Sequence, residues 1–375
     1  MFSYLLYLCI GIIVIIYIYI KIRFRFWSSQ PIFHTYNLIY WLFPPGIIQY
    51  KIPESNKFYN HSLSHHRWRD LDNKTKSMIY SFIKMNYVKF ETKYNTKKSD
   101  FINTISDSAF ITLQKQRNPK KILSCLTTRP LECFNKNKKF NLWFFDFLCV
   151  HRKERKKSLG YKQIYTHYCM SRKNTKDFIF LYKDTGHCDI RVPLTIFKTY
   201  SINSSKWERI NYEIPRNIIT YLINSSNSEL LFHFLSEVRI NFDCIIMPKT
   251  FDLGRLINCN IILPTVILDD QDVVATIFFR RSLASKNNEQ IIECIGSYCR
   301  KGYEETFKDS FQNSIALLKK HYKFSIIRIE NISHNYIILQ KILKKSIPKR
   351  VDNTGYYFYN CASTPLFSPN VFAIF

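Results

Sequence analysis

One segment of the sequence brings phosphate chemistry within reach. A near-continuous apolar run, Leu142–Val150, reads as a buried strand and passes straight into His151-Arg-Lys-Glu-Arg-Lys-Lys-Ser-Leu-Gly160. A helical pattern follows over Leu159–Arg172. A strand that ends in a basic turn at a helix N-terminus suits phosphates. Free backbone N–H groups, the helix dipole and Lys/Arg charges there all point at one anion. A charged loop between a strand and a helix also serves as a plain solvated turn, so this segment alone leaves both readings open. The second candidate is the chain's end, Asn370-Val-Phe-Ala-Ile-Phe375, apolar throughout and without a charged tail. That composition predicts a buried final strand.

Other constellations point nowhere. His65-His66 and His187-Cys188 have no further ligands at metal spacing, and the eleven cysteines contain no C-x-x-C pair. Cys294 and Cys299 lack a matching pair, so no metal site is expected and the thiols read as reduced. No P-loop and no G-x-S-x-G is present.

The elements that must position these residues follow from composition and pattern. At 375 residues the chain has room for about two domains. Hydrophobic residues make up 46% and aromatics 16%, enough to exclude a disordered chain. The 55 Lys+Arg against 28 Asp+Glu leave a formal charge of +27, which calls for an anionic partner. Met1–Ile20 carries no charge and spans roughly 30 Å as a helix, the depth of a bilayer core. Lys21, Arg23 and Arg25 follow at once, so residues 1–22 are expected to be a single-pass, uncleaved anchor with the rest cytoplasmic. Phe26–Pro53, aromatic and punctuated by Pro, reads as extended. Lys74–Lys89 reads as a helix, with Met78, Ile79, Phe82, Ile83, Met85 and Val88 as its apolar stripe. Ile122–Leu126 and Leu142–Val150 form a predicted hairpin through the basic turn Phe134–Phe140, and a strand is expected at Phe178–Tyr182. Toward the end, Ala275–Arg280 and Ile291–Tyr298 read as strands, Glu304–His321 as a helix and Phe324–Glu330 as a strand. The pattern predicts a mixed α/β fold of two similar halves, with largely antiparallel sheets, meeting near 205–240.

Several segments, in order, resemble the eukaryotic N-myristoyltransferases. Phe147-Leu-Cys-Val-His151, with Arg155, Lys157 and Leu159 beyond, resembles that family's N-F-L-C-V-H-K-x-L-R-S-K-R-L signature. Phe26-Trp27-Ser-Ser-Gln30-Pro31 is similar to its F-W-x-T-Q-P-V motif. Trp68-Arg-Asp-Leu71-Asp72, with Asn86-Tyr87-Val88 later, resembles W-x-x-L-D and N-Y-V. Tyr356-Tyr-Phe-Tyr-Asn360 resembles Y-Y-L-Y-N. Arg155, Ser158 and Gly160 also fit the R-x-x-G-x-G/A loop of acetyltransferase-type folds, with Ser for the first Gly. The resemblance covers about 25–375 and is weakest over 205–270.

The resemblance implies two tandem acetyltransferase-like (GNAT-like) domains, 23–205 for acyl-CoA and 206–375 for peptide. It implies transfer of myristate from myristoyl-CoA, a co-substrate and not a bound cofactor, to the amine of an N-terminal glycine, by a monomer. Carried over, Arg25, Phe26 and Trp27 would pack on CoA. Arg155, Lys156, Lys157 and the amides of Ser158, Leu159 and Gly160 would hold its phosphates. Backbone N–H groups of Phe147 and Leu148 would form the oxyanion hole. The terminal carboxylate of Phe375 would be the base, its pKa raised by burial.

Departures are as informative. Asp146 stands where the family has Asn, beside the expected amine. Lys183-Asp184-Thr185-Gly186 interrupts a Y-T-A-G segment, and Phe197-Lys-Thr-Tyr200 replaces R-Y-x-H. The CoA side is better kept than the peptide side. Two functions follow: an active acyltransferase, or an inactive, membrane-anchored relative that binds acyl-CoA or protein. Nucleic acid is not expected, since no recognition motif accompanies the basic residues. Heavy use of Lys, Asn, Ile, Tyr and Phe fits an AT-rich genome, such as a large DNA virus or a parasite.

Overall fold

The computed structural model describes residues 2–87, 93–94, 97–116, 121–136, 138–186, 190–205, 207, 214–286 and 289–375. Phe2–Arg23 form one helix, long and apolar enough to cross a membrane, and its apolar stretch is not buried against the rest of the protein. Lys21 Nζ donates to the Ser28 carbonyl at 3.0 Å, fastening the helix end to the body.

The stretch after it is folded, not extended as its composition predicts. It contains a short turn at Trp27–Ser29, a helix Leu38–Leu42 and a two-residue strand Gly46–Ile47. The Asn37 side chain opens the short helix by accepting the Tyr40 N–H at 3.3 Å. Pro44 and Pro45 allow it no continuation. Distant residues hold this stretch down. Tyr359 donates to Gln30 Oε1 at 2.5 Å, and Asn360 bonds both the N–H and the carbonyl of Gln49. The Tyr356–Asn360 motif therefore braces the Phe26–Pro31 motif.

The body is built on a mixed sheet. Along it lie, in order, Val371–Ala373, Cys244–Met247, Ile122–Asn135, Lys138–Val150, Ile179–Thr185, Arg350–Tyr359 and Thr195–Asn203. Phe324–Glu330, Glu289–Cys299, Asp272–Lys286, Ile262–Asp269 and Ile218–Leu222 complete it. Leu63–Arg67 and Phe110–Lys115 extend it beside Ile122–Asn135. Strands of the two halves interleave: Arg350–Tyr359 sits between Ile179–Thr185 and Thr195–Asn203. The predicted hairpin is present with longer strands and a shorter turn. The helices Glu304–His321 and Leu159–Asn174 lie where the pattern puts them. The helix predicted to Lys89 runs Asn73–Asn86, while Val88, Lys89, His187 and Cys188 lie outside the described residues.

Two irregularities open the sheet. Lys138–Val150 pairs in parallel with Ile179–Thr185 only from Leu142 to Phe144, and beyond Phe144 the strands part. In the hairpin, Cys125 faces Cys149 but Thr127 faces Asp146, so Phe147 and Leu148 together oppose Leu126. This bulge puts Phe147 at φ 49°, a left-handed conformation costly for a bulky residue. The second half has its counterpart, where Phe278 faces Gly296 and Phe279 faces Cys294.

The chain's end is a buried strand. Val371–Ala373 runs parallel to Cys244–Met247, and Ile374 N–H donates to the Ile246 carbonyl at 2.9 Å. Ile374 and Phe375 are buried. Gly296 makes room beneath: a Cβ there would lie 3.1 Å from Ile374 Cγ2 and 3.5 Å from the Ala373 oxygen.

Candidate active site

A cavity of about 440 Å³ fills the gap where the strands part. Phe145, Asp146, Phe147 and Leu148 line one wall, Tyr182, Lys183, Asp184 and Thr185 another. Trp27, Arg280, Glu293 and Phe375 also reach it, so segments remote in sequence meet there.

At the bulge, Asp146 governs the geometry. Its Oδ1 accepts the Phe147 N–H at 3.0 Å, and its Oδ2 lies 3.3 Å from Arg129 Nη2. One of the two expected oxyanion donors is thus taken by the neighbouring carboxylate. Arg129 is buried, and its Nε has no hydrogen-bond partner among the described residues.

At the opposite wall, Phe375 packs its ring on Phe144 at 4.6 Å and Tyr356 at 5.4 Å. Arg280 Nη1 donates to the Phe375 main-chain oxygen. The same guanidinium donates to Glu293 Oε2 through Nε at 3.0 Å and Nη2 at 2.6 Å. Arg328 approaches the other Glu293 oxygen at 3.6 Å. Burial alone would raise the Glu293 carboxyl, but Arg280, Lys183 and Arg328 outweigh it and hold it at about 2. Lys183 Nζ pairs with buried Glu330 at 2.5 Å, and the Tyr356 hydroxyl donates to the same carboxylate at 3.2 Å.

Below the cavity the strand enters the basic loop. Arg152–Glu154 form a single turn, and Lys156 and Ser158 take left-handed backbone conformations at φ 66° and 56°. Strain of this kind gathers where amides must converge on a ligand. Ser158 stands at the N-cap of Leu159–Asn174 without a side-chain cap bond, and Leu159 is buried. The loop therefore offers main-chain N–H groups at a helix N-terminus, with Lys156 and Lys157 exposed beside them. Arg155 is used differently: it donates to the carbonyls of Asn86 at 2.5 Å and Val150 at 3.3 Å, bracing the loop. Gly160 has no close neighbour, a Cβ there lying 3.9 Å from Val150.

Phe26 is buried and stacked on Tyr161 at 4.5 Å, in the first turn of that helix. Trp27 stacks on Tyr182 at 5.4 Å with the Arg191 guanidinium 4.5 Å from its ring, and it reaches the cavity. Arg25 lies elsewhere, exposed in a depression with Lys21 and Lys57. The cavity thus gathers Asp146, Phe147, Leu148, Trp27 and Phe375, with the loop following directly from its wall. Sequence reasoning assigned no role to Arg129, Arg280, Glu293, Arg328 or Glu330. They come from four strands, Ile122–Asn135, Asp272–Lys286, Glu289–Cys299 and Phe324–Glu330, and no motif or local spacing marks them.

Comparison with solved structures agrees with this architecture. Saccharomyces cerevisiae N-myristoyltransferase with bound myristoyl-CoA matches with a TM-score of 0.73 at 13% identity, covering 94% of this chain and 99% of that one. A further structure of that enzyme with bound myristoyl-CoA gives 0.72 at 14% identity, over 92% of this chain and 89% of that one. The same enzyme with myristoyl-CoA and inhibitors gives 0.72 at 14%, over 92% and 91%. The chain has the fold of those N-myristoyltransferase structures, a mixed α/β fold. No family model and no curated protein sequence matches it.

Proposed function

We propose that this chain moves a fatty acyl group from acyl-CoA, myristoyl-CoA above all, to the amine of an N-terminal glycine. One observation carries the reading: a single cavity joins the bulged strand at Phe147 to the buried end at Phe375. Residues 23–205 hold the donor and 206–375 supply most of the peptide site. The amides of Ser158, Leu159 and Gly160, with Lys156 and Lys157, take the CoA phosphates, and Phe26 and Trp27 set the donor's position. Phe147 and Leu148 N–H groups polarise the thioester carbonyl, worth about 3 kcal/mol per donor. The ammonium, with an ordinary pKa near 8, gives one proton to the Phe375 carboxylate. The free amine attacks, the C–N bond forms, the C–S bond breaks, and the second proton shed by the attacking nitrogen leaves on the sulfur, so that CoA departs as the thiol. The N-terminal helix keeps this activity at a membrane, single-pass and with the body cytoplasmic, since its basic residues follow the apolar run.

Replacing both Lys156 and Lys157 with Ala is expected to raise the KM for acyl-CoA by about tenfold or more. Turnover at saturation should hold, because the phosphates are remote from the reacting carbon. Initial-rate kinetics at two salt concentrations check this.

A second reading is an inactive, anchored relative that binds acyl-CoA or a protein. Two contacts favour it: Asp146 on the Phe147 N–H and Arg280 on Phe375. Under the active reading the thioester oxygen must displace Asp146 from Phe147. Asp146→Asn weakens that competitor and removes a negative charge beside the forming oxyanion. Its kcat is expected to rise about tenfold, the difference between a charged and a neutral hydrogen bond. A fall would assign Asp146 to holding the amine. The discriminating experiment incubates the full chain with myristoyl-CoA and Gly-initiated peptides and measures free CoA thiol. Peptide-dependent release supports transfer; donor binding without release leaves the inactive reading.

A further inference from the structure

Acyl transfer does not explain the apolar lip beside the N-terminal helix. Leu38, Ile39, Trp41, Leu42 and Phe43 are all exposed, Leu42 at 74% and Phe43 at 75%. The outward pose is built into the fold. Trp41 Nε1 donates to the Thr35 carbonyl at 3.0 Å, and its ring lies 5.0 Å from buried Phe33.

The residue two positions before the lip, Tyr36, comes near the helix that could cross a membrane. Tyr36 is stacked on His34 at 4.9 Å and lies close enough to Tyr17 for the two phenols to interact electrostatically. Tyr17 is six residues before Arg23, where the helix ends, or about 9 Å along its axis. A bilayer entered at Arg23 would therefore reach the level of Tyr36, two residues before the lip, within the roughly 5–10 Å depth of interfacial segments. The chemistry agrees. Trp and Tyr favour the headgroup boundary, and Lys21, Arg25 and Lys57 share a depression at this end of the body.

We propose that Leu38–Phe43 is a second membrane contact, dipping beside the N-terminal helix into the headgroup–acyl boundary of an anionic bilayer. A lone helix lets the body swing about its attachment. A second contact point sets how the body faces the membrane. The inference rests on reading the helix as an anchor, but it concerns a separate surface.

The test uses the full chain reconstituted in phosphatidylcholine–phosphatidylserine vesicles with brominated acyl chains, which quench nearby tryptophan. Wild type is compared with Trp41→Phe, an exposed and conservative change, so that the difference isolates Trp41 emission. Brominated lipid should remove most of that difference, and bromine near the headgroup should act more strongly than bromine at the chain end. Equal quenching in both proteins, when both float with vesicles, overturns the lip and leaves the anchor standing. A full chain that does not float overturns both. Trp41 emission that ignores lipid but shifts blue with protein concentration overturns the proposal in favour of a second copy on this face.

Discussion

A chain ending in a Phe375 carboxamide is expected to lose about 10²–10⁴ in kcat, the usual contribution of a general base. The amide keeps the ring on Phe144 and Tyr356 and keeps an oxygen for Arg280, but it cannot accept the proton from glycine's ammonium. Its KM for acyl-CoA should hold, since the basic loop is untouched. Deleting Ile374 and Phe375 should cost at least as much, but it also opens the core. Full activity in the carboxamide would remove the terminal carboxylate from the mechanism and direct attention to Asp146. Chemical ligation of the last residues, followed by single-turnover kinetics, reads the difference.

The second large effect is on stability. Glu293→Gln is expected to destabilise the fold by about 3 kcal/mol, because it leaves Arg280 and Arg328 facing one another without their shared carboxylate. The Glu293 side chain is only 15% exposed, so water restores little. The pH dependence has a definite sign. The folded carboxyl sits at about 2, below its ordinary 4.5, so its stabilisation is complete above about pH 4.5. As pH falls from there through about 2 that contribution is lost, and wild type and variant should converge. Urea midpoints of both proteins between pH 7 and about pH 2 check the expectation. A constant gap across that range would mean that Glu293 contributes shape and not charge.

Much of the site was legible because its parts are local. The loop from His151 to Gly160 is one contiguous, mainly basic segment between a strand and a helix, both recognisable from their periods. The apolar end at Val371–Phe375 reads as buried because nothing in it prefers water. Glu304–His321 and Phe324–Glu330 match their predicted bounds, a long amphipathic period followed by a short β-rich run.

What escaped depends on pairings far apart in sequence. Cys244–Met247 lies where little could be placed, and it becomes a strand by pairing with both Ile122–Asn135 and Val371–Ala373. Arg280, Glu293 and Arg328 look like ordinary polar positions on alternating strands until the sheet closes over them. The sequence places Asp146 beside the expected amine, yet its bond to the Phe147 N–H needs a bulge. The left-handed residue there is a Phe, and no glycine marks it. Phe26–Pro53 read as extended because its prolines and aromatics suppress any period, whereas its bonds to Tyr359 and Asn360 fold it.

The central claim is that one cavity brings an acyl thioester and an N-terminal glycine together. Mass spectrometry of the peptide after incubation with the full chain and myristoyl-CoA tests it most directly. The expected result is one added myristoyl group on the α-amine of a Gly-initiated peptide, and none when that amine is acetylated beforehand. Unmodified peptide in the presence of bound myristoyl-CoA would contradict it.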